Sequence, residues 1–280
     1  MHILITNDDG YRANGIHALA KIMAKYGEIS VIAPKRHESG TAMAVDLGLR
    51  QLAYKDLGTI DGGHWAYLDA TPASCVKFGI NSMDPAPDLV VSGINHGSNA
   101  STGACYSGTL GACQEATLNG IPAIGVSLDS FHVDADFSPV EKYLPGIIDA
   151  ILARPASRYG IYYNINFPAI PPEEIKGIRI TGMGRGRWVK EFCDWNPDLY
   201  REKFGLTAEN MGRDTDVRLE EGEKLYMMTG TYVDAPDNAP DADHHTLAAG
   251  YITITPHNII NNDTAEALRL KENGFERDFR

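Results

Sequence analysis

MHILITNDDG (residues 1–10) opens the chain with an apolar run that ends on two adjacent carboxylates and a glycine. Residues 2–6 read as a buried strand. The first strand of a doubly wound sheet delivers its C-terminal end to the crevice where such folds bind ligands. Neighbouring side chains in a strand point to opposite faces. Asp8 and Asp9 therefore reach one point only where the chain is already turning, and Gly10 permits that turn. Like charges held close repel, and a divalent cation is the simplest partner for both. Taken alone, the stretch reads more readily as a plain turn, because Asp and Gly are ordinary turn residues.

Outward from this strand, the first half alternates strand and helix signals. Residues 15–26 carry Ile16, Leu19, Ile22 and Met23 at helical spacing, with Asn14 as the expected cap and Gly27 as the expected end. ISVIAP (29–34), DLVVSG (88–93) and PAIGVSL (122–128) read as strands, and a helix of residues 108–119 lies between the last two. Such alternation predicts βα units and a mostly parallel, doubly wound α/β sheet. Ser138-Pro139-Val140-Glu141 reads as a capping box, and Asp263 with Glu266 repeats it before a C-terminal helix. IYYNINFP (161–168), KGIRIT (176–181) and GYITITP (250–256) read as later strands.

Residues 184–240 break the alternation. They are rich in charge and aromatics, and KLYMMTGTYV (224–233) alternates like a hairpin strand. We read a single domain, with 1–183 and 246–280 as its α/β core. Residues 184–245 form an excursion, either an arm that packs on another subunit or a long surface insertion.

The 280 residues are 43% hydrophobic, enough for a sizeable core. With 25 Lys and Arg against 37 Asp and Glu, the formal charge is −12. A field of that sign repels a nucleic-acid duplex and an anionic membrane. An anionic substrate would then need a local positive centre, which a bound cation supplies. Cys75, Cys105, Cys113 and Cys193 form no CxxC pair, as expected of free thiols in a reducing compartment. Residue 2 already begins a strand, without a signal core before it, and no apolar stretch reaches bilayer length. The expectation is a cytoplasmic protein.

Three further segments place small oxygen-bearing side chains after strands: APKRHESG (33–40), SGINHGSN (92–99) and YSGTLGA (106–112). In a doubly wound sheet those strand ends share one rim. Asp8, Asp9, Ser39 and Asn95 make an all-oxygen ligand set, which suits Mg²⁺ or Mn²⁺ better than zinc. Four such ligands on an octahedral ion leave about two positions for water or substrate. Ser107-Gly108-Thr109 opens a helix, where free N–H groups and the dipole attract phosphate. A plain N-cap is the simpler reading of Ser107 alone.

Six segments in order carry a family resemblance: ILITNDDG (3–10), APKRHESG (33–40), VVSGINHGSN (90–99), YSGTLGACQEA (106–116), NINFP (164–168) and GYITITP (250–256). The chain resembles the survival protein E (SurE) nucleotidases, metal-dependent phosphatases of nucleoside monophosphates. The resemblance implies a Rossmann-like core with a hairpin and C-terminal segment exchanged between subunits, giving a homodimer or homotetramer. It implies one divalent cation per subunit, Mg²⁺ or Mn²⁺ with Co²⁺ as a further option, on Asp8, Asp9, Ser39 and Asn95. It also implies a phosphate-binding turn at Ser107, Gly108 and Thr109, joined by Asn99. The implied reaction is hydrolysis of nucleoside 5′- and also 3′-monophosphates by metal-activated water, with Asp8 or Asp9 accepting its proton. Polyphosphate trimming is a further family activity. This chain departs from the family at Ser74 in TPASCV (71–76), at His257 after Thr255-Pro256, in lacking the Asp-Pro-Arg-Gly turn, and in a long stretch at 190–215.

Other features point elsewhere. His244-His245 sit in a polar run and read as a solvated loop; the alternative is that one of them, or His257, reaches the substrate from the arm. Gly182-x-Gly184-x-Gly186 precedes no clear helix, against a dinucleotide loop. Cys105 stands where a GxSxG elbow needs its first glycine, against a serine hydrolase. Two rivals stand beside the metal phosphatase. An aspartyl-phosphate enzyme wants two aspartates one residue apart, where this chain has Gly10 in the second place. A non-catalytic nucleotide sensor would use the same crevice and signal through the arm.

Overall fold

The computed structural model describes residues 1–48, 50–205, 207 and 217–276. Its first strand, β1 (His2–Thr6), is buried along its whole length. Ile3 and Ile5 point into one core cluster and Leu4 into the other. A strand buried on both faces reads as an unbroken apolar run. Removing each of these side chains from water contributes about 1.5–3 kcal/mol.

Helix α1 (Asn14–Met23) follows and leads to β2 (Glu28–Pro34). Asn14 is not the cap: Ala13 takes that place without a side-chain bond. The Asn14 amide instead donates to the carbonyl of Val133, 119 residues away. The helix also stops at Met23, short of Gly27, where Tyr26 N–H turns back to the Met23 carbonyl.

Next come an antiparallel pair, β3 (Tyr54–Ile60) and β4 (Gly63–Leu68), and helix α2 (Pro72–Ser82). Neither was foreseen from sequence. Thr71 caps α2 with its hydroxyl, which also donates to Ser74 Oγ. Ser74 in turn accepts Asp46 N–H, so the residue that departs from the family pattern ties down the 41–46 loop.

The chain continues through β5 (Leu89–His96), the short α3 (Gly103–Tyr106), α4 (Gly108–Leu118), β6 (Ala123–Leu128), α5 (Ser138–Ala153) and β7 (Ile161–Phe167). The capping box at Ser138 does not form. Asp136 captures both the N–H and the hydroxyl of Ser138, and Phe137 stands at the cap.

After β8 (Ile178–Ile180) the chain leaves the sheet. β9 (Gly186–Val189) and β10 (Phe192–Asp194) run out, helix α6 (Pro197–Phe204) follows, and β11 (Tyr226–Met228) and β12 (Thr231–Asp234) run back. KLYMMTGTYV is thus two strands, not one: β11 pairs with β10 and β12 with β9. Of the long stretch 190–215, residues 206 and 208–215 lie outside the described residues. The return passes through α7 (Asp243–Ala248), which corrects the loop expected at His244-His245, to β13 (Ile252–Asn258) and α8 (Thr264–Glu272). Asp263 caps α8 by accepting Glu266 N–H, as expected.

The main sheet has the order β3-β4-β2-β1-β5-β6-β7-β13-β8. β13 runs antiparallel to β7 and β3 antiparallel to β4; the other pairings are parallel. Numbered along the chain, the six mutually parallel strands stand 3-2-1-4-5-6, the dinucleotide-fold order, with its topological switch between β1 and β5. Among the described residues no helix is long and apolar enough to cross a membrane.

Candidate metal and phosphate site

At the switch point, the chain turns immediately after β1. Gly10 has φ +94, and Asn7 donates its amide N–H to the Gly10 carbonyl at 3.0 Å. That region of φ favours glycine. The turn brings both carboxylates to one cleft, lined also by Ser39, Asn95, Asn99 and Ser107. The four segments singled out by sequence thus meet around one opening, although they span a hundred residues of chain.

Asp8 is 3% exposed. It accepts hydrogen bonds from Thr109 Oγ1 at 2.5 Å and from Ser39 Oγ at 3.4 Å. Asp9 accepts His96 N–H at 3.1 Å, which ties the end of β1 to the end of β5. The His37 ring lies 3.5 Å from its other oxygen. Among the described residues no Lys or Arg pairs with either carboxylate; the ion-pair contact is that of His37. Burial, then the charge of Asp8, pushes the Asp9 carboxyl well above the usual range, against the bond from His96 N–H. Burial likewise holds the His96 imidazole below its ordinary value.

Asn95 stands just past a register shift between β5 and β6, where an irregular strand re-aims a side chain. Its amide N–H donates to the Gly97 carbonyl at 2.7 Å, so its oxygen is the end not used in that bond. The donor set is therefore two carboxylates, an amide oxygen and a hydroxyl. Those donors fit a hard divalent cation, and the crowded, unneutralised pair of Asp8 and Asp9 gives such an ion its electrostatic reason.

Helix α4 starts against this pair. Ser107 Oγ accepts Leu110 N–H as the N-cap, the plain role considered from sequence. A Cβ on Gly108 would stand 2.9 Å from Asp8 Cβ and 3.1 Å from Thr41 Oγ1, so only glycine lets the helix start approach so closely. Thr109 departs from the expectation. It is fully buried, and its hydroxyl is spent on Asp8 instead of facing the cleft. Asn99 lines the cleft while its amide bonds Ser127. Its backbone is held at both ends: its N–H donates to Asn166 Oδ1, and its carbonyl accepts Asn164 Nδ2. NINFP thus supports the site from β7 without entering it.

Sequence reasoning missed part of the lining. His37 and His96 lay inside quoted motifs, and Tyr106 sits beside Ser107. Phe131 comes from a loop with no such signal, and Met228 from β11, whose alternation marked a strand but not a place in the cleft. Met228 is the arm's contribution to the cleft; His244, His245 and His257 do not line it. His257 stacks on Tyr162 from β13, with ring centres 5.3 Å apart. The Gly182–Gly186 run enters β9 rather than a helix, in keeping with its rejection as a dinucleotide loop.

Comparison with known proteins agrees with this architecture. The family model described as survival protein SurE matches residues 3–190. The 5′-nucleotidase SurE of Cytophaga hutchinsonii is 37% identical over 258 residues, covering 91% of this chain and 89% of the relative. That of Pelotomaculum thermopropionicum is 36% identical over 277 residues, covering 97% and 95%. Among solved structures, the SurE protein from Aquifex aeolicus superposes with a TM-score of 0.74 at 25% identity, covering 97% of this chain and 99% of that one.

Proposed function

The chain belongs to the survival protein SurE family, and from that premise we propose that it is a metal-dependent nucleotidase releasing phosphate from nucleoside 5′-monophosphates. The observation that carries the proposal is the cleft at the β1–β5 switch, where oxygen donors from four segments meet around the buried Asp8 and the half-buried Asp9.

In this reading Asp8, Asp9, Ser39 and Asn95 hold one divalent cation, Mg²⁺ or Mn²⁺ with Co²⁺ as a further option. When bound, the cation would supply Lewis acidity toward a phosphoryl oxygen and would lower the pKa of water in the cleft. Asp8 or Asp9 would serve as proton acceptor for the attacking water. Ser107 and the free N–H groups at Gly108 and the start of α4 hold the phosphate oxygens, and Asn99 completes that wall. Thr109 acts at one remove, by fixing the oxygen of Asp8 that it bonds.

The mouth carries exposed Tyr106, Phe131 and Met228, a flat apolar rim that suits a nucleobase better than a bare sugar. Hydrolysis of 3′-monophosphates and of short polyphosphate belongs to the same proposal. So does assembly into a homodimer or homotetramer through the 184–245 arm. Exposed Trp188, Phe192, Trp195 and Tyr226 support that assembly, as apolar side chains crowded on one projection. The four cysteines are free, which supports a reducing, cytoplasmic setting.

A panel of nucleoside 5′- and 3′-monophosphates and simple sugar phosphates, assayed with Mg²⁺, Mn²⁺ or Co²⁺ and with chelator, tests the proposal. Phosphate release that depends on metal and prefers nucleotides is the expected result. Undiminished release in chelator, or none from any nucleotide, would overturn it.

A further inference from the structure

Away from the cleft, the base of the arm gathers a different set of donors. Asp234 ends β12, and His244 and His245 lie side by side on α7. His244 Nε2 is 2.9 Å from Asp234 Oδ1, and His245 Nε2 is 2.6 Å from Asp234 Oδ2. All three ligand atoms lie within 4.8 Å of one another. We propose that Asp234, His244 and His245 form a second cation site, selective for a borderline divalent metal such as Zn²⁺, that clasps the returning arm strand to α7.

Two imidazoles and one carboxylate are a donor set of the kind zinc takes with its fourth position open. With metal–ligand bonds of about 2.0–2.1 Å, neighbouring ligands on a tetrahedral ion stand about 3.4 Å apart. The two imidazole–carboxylate contacts therefore need to open by under about 1 Å. The Asp234 carboxylate already presents one oxygen to each imidazole.

The second observation lies behind the cluster. His244 Nδ1 is buried without a hydrogen-bond partner, and it stands 3.4 Å from the fully buried carboxylate of Asp243. With Nε2 on a metal, the ring proton would sit on Nδ1, 3.4 Å from that carboxylate. An imidazole ligand backed by a carboxylate is the usual outer-shell arrangement of zinc histidines. Asp243 is itself fixed, accepting N–H bonds from Ser101, Gly184 and His244. The contrast with the cleft separates the two sites: hard oxygens there favour Mg²⁺ or Mn²⁺, and nitrogen donors here favour Zn²⁺ or Co²⁺.

Calorimetric titration of the full-length chain with Zn²⁺ in excess Mg²⁺, which fills the oxygen site, tests the proposal. One Zn²⁺ per chain is expected. Asp234→Asn and His245→Gln should each weaken binding by more than about 100-fold, the upper scale for outer-shell changes, while Asp8→Asn leaves it unchanged. The unaltered chain loaded with Co²⁺ under the same conditions should show the strong visible bands of a four-coordinate ion with nitrogen ligands, a readout that needs no variant. Absence of those bands, absence of Zn²⁺ binding, or binding that survives both substitutions overturns the site. So does binding that disappears with Asp8→Asn, which would assign the metal to the cleft.

Discussion

At the β1–β5 crevice, polar groups are tied to other elements: Asp8 to Thr109 of α4, Asp9 to the backbone at the end of β5, the Asn99 amide to Ser127 of β6 and the Asn99 backbone to β7. On the ribbon from β9 to β12 the large side chains Trp188, Phe192, Trp195 and Tyr226 are exposed. The crevice is over-determined by its own chain. The ribbon leaves apolar surface for something beyond it. Precise placement of charge requires the first kind of construction, because an unsupported buried carboxylate relaxes or neutralises. An interaction surface tolerates the second.

Three perturbations sharpen that contrast. Asp8→Asn removes a charge at the centre of the supported region. Turnover of a nucleoside monophosphate should fall by more than about 100-fold, beyond the scale of an outer-shell change, with the circular dichroism spectrum unaltered. Ordinary metal-dependent turnover in that variant would remove Asp8 from the site.

Thr109→Val keeps the shape and deletes the hydroxyl that bonds Asp8. Metal affinity or activity should drop about 10–100-fold, and Thr109→Ser should restore most of it. A rise in KM for nucleotide at unchanged metal affinity would instead return Thr109 to direct phosphate binding.

The third test concerns stability. The folded Asp9 carboxyl is raised above its unfolded value. Its contribution is full below about pH 4 and is lost as pH rises through the folded value. In chelator, the melting temperature should decline as pH rises above the unfolded value of about 4, more steeply for the unaltered chain than for Asp9→Asn. The gap is on the order of 2–4 °C for each kcal/mol. Added Mg²⁺ should close it. Identical profiles for the two chains in chelator would show that the carboxylate pair carries no strain.

Much of this construction could be read in advance, for a physical reason. Fully buried parallel strands leave unbroken apolar runs, and their ends leave Asp, Ser and Asn beside Gly, so the rim was visible segment by segment. What escaped depended on contacts distant in sequence. Asn14 and Ser138 look like caps, yet Val133 and Asp136 claim them. Thr109 looks like part of a phosphate turn, and only the packing of α4 on β5 and β6 brings its hydroxyl to Asp8. The β3–β4 hairpin escaped because β3 is an edge strand with little buried surface to impose alternation. The cap and proline of α2 were present in Thr71-Pro72 and went unread. Phe131 enters the cleft from a segment with no motif, and Met228 from a strand whose alternation says nothing of where it packs.

One feature of the return path has a bearing on how such a chain diversifies. Gly182 bridges Ala242, and Asp243 N–H donates to the Gly182 carbonyl at 2.9 Å. Everything between departs from and rejoins the sheet at a single neck. A change of length between those two points leaves the pairing of β8 with β13 undisturbed, so the arm can vary without shifting the strands behind the cleft.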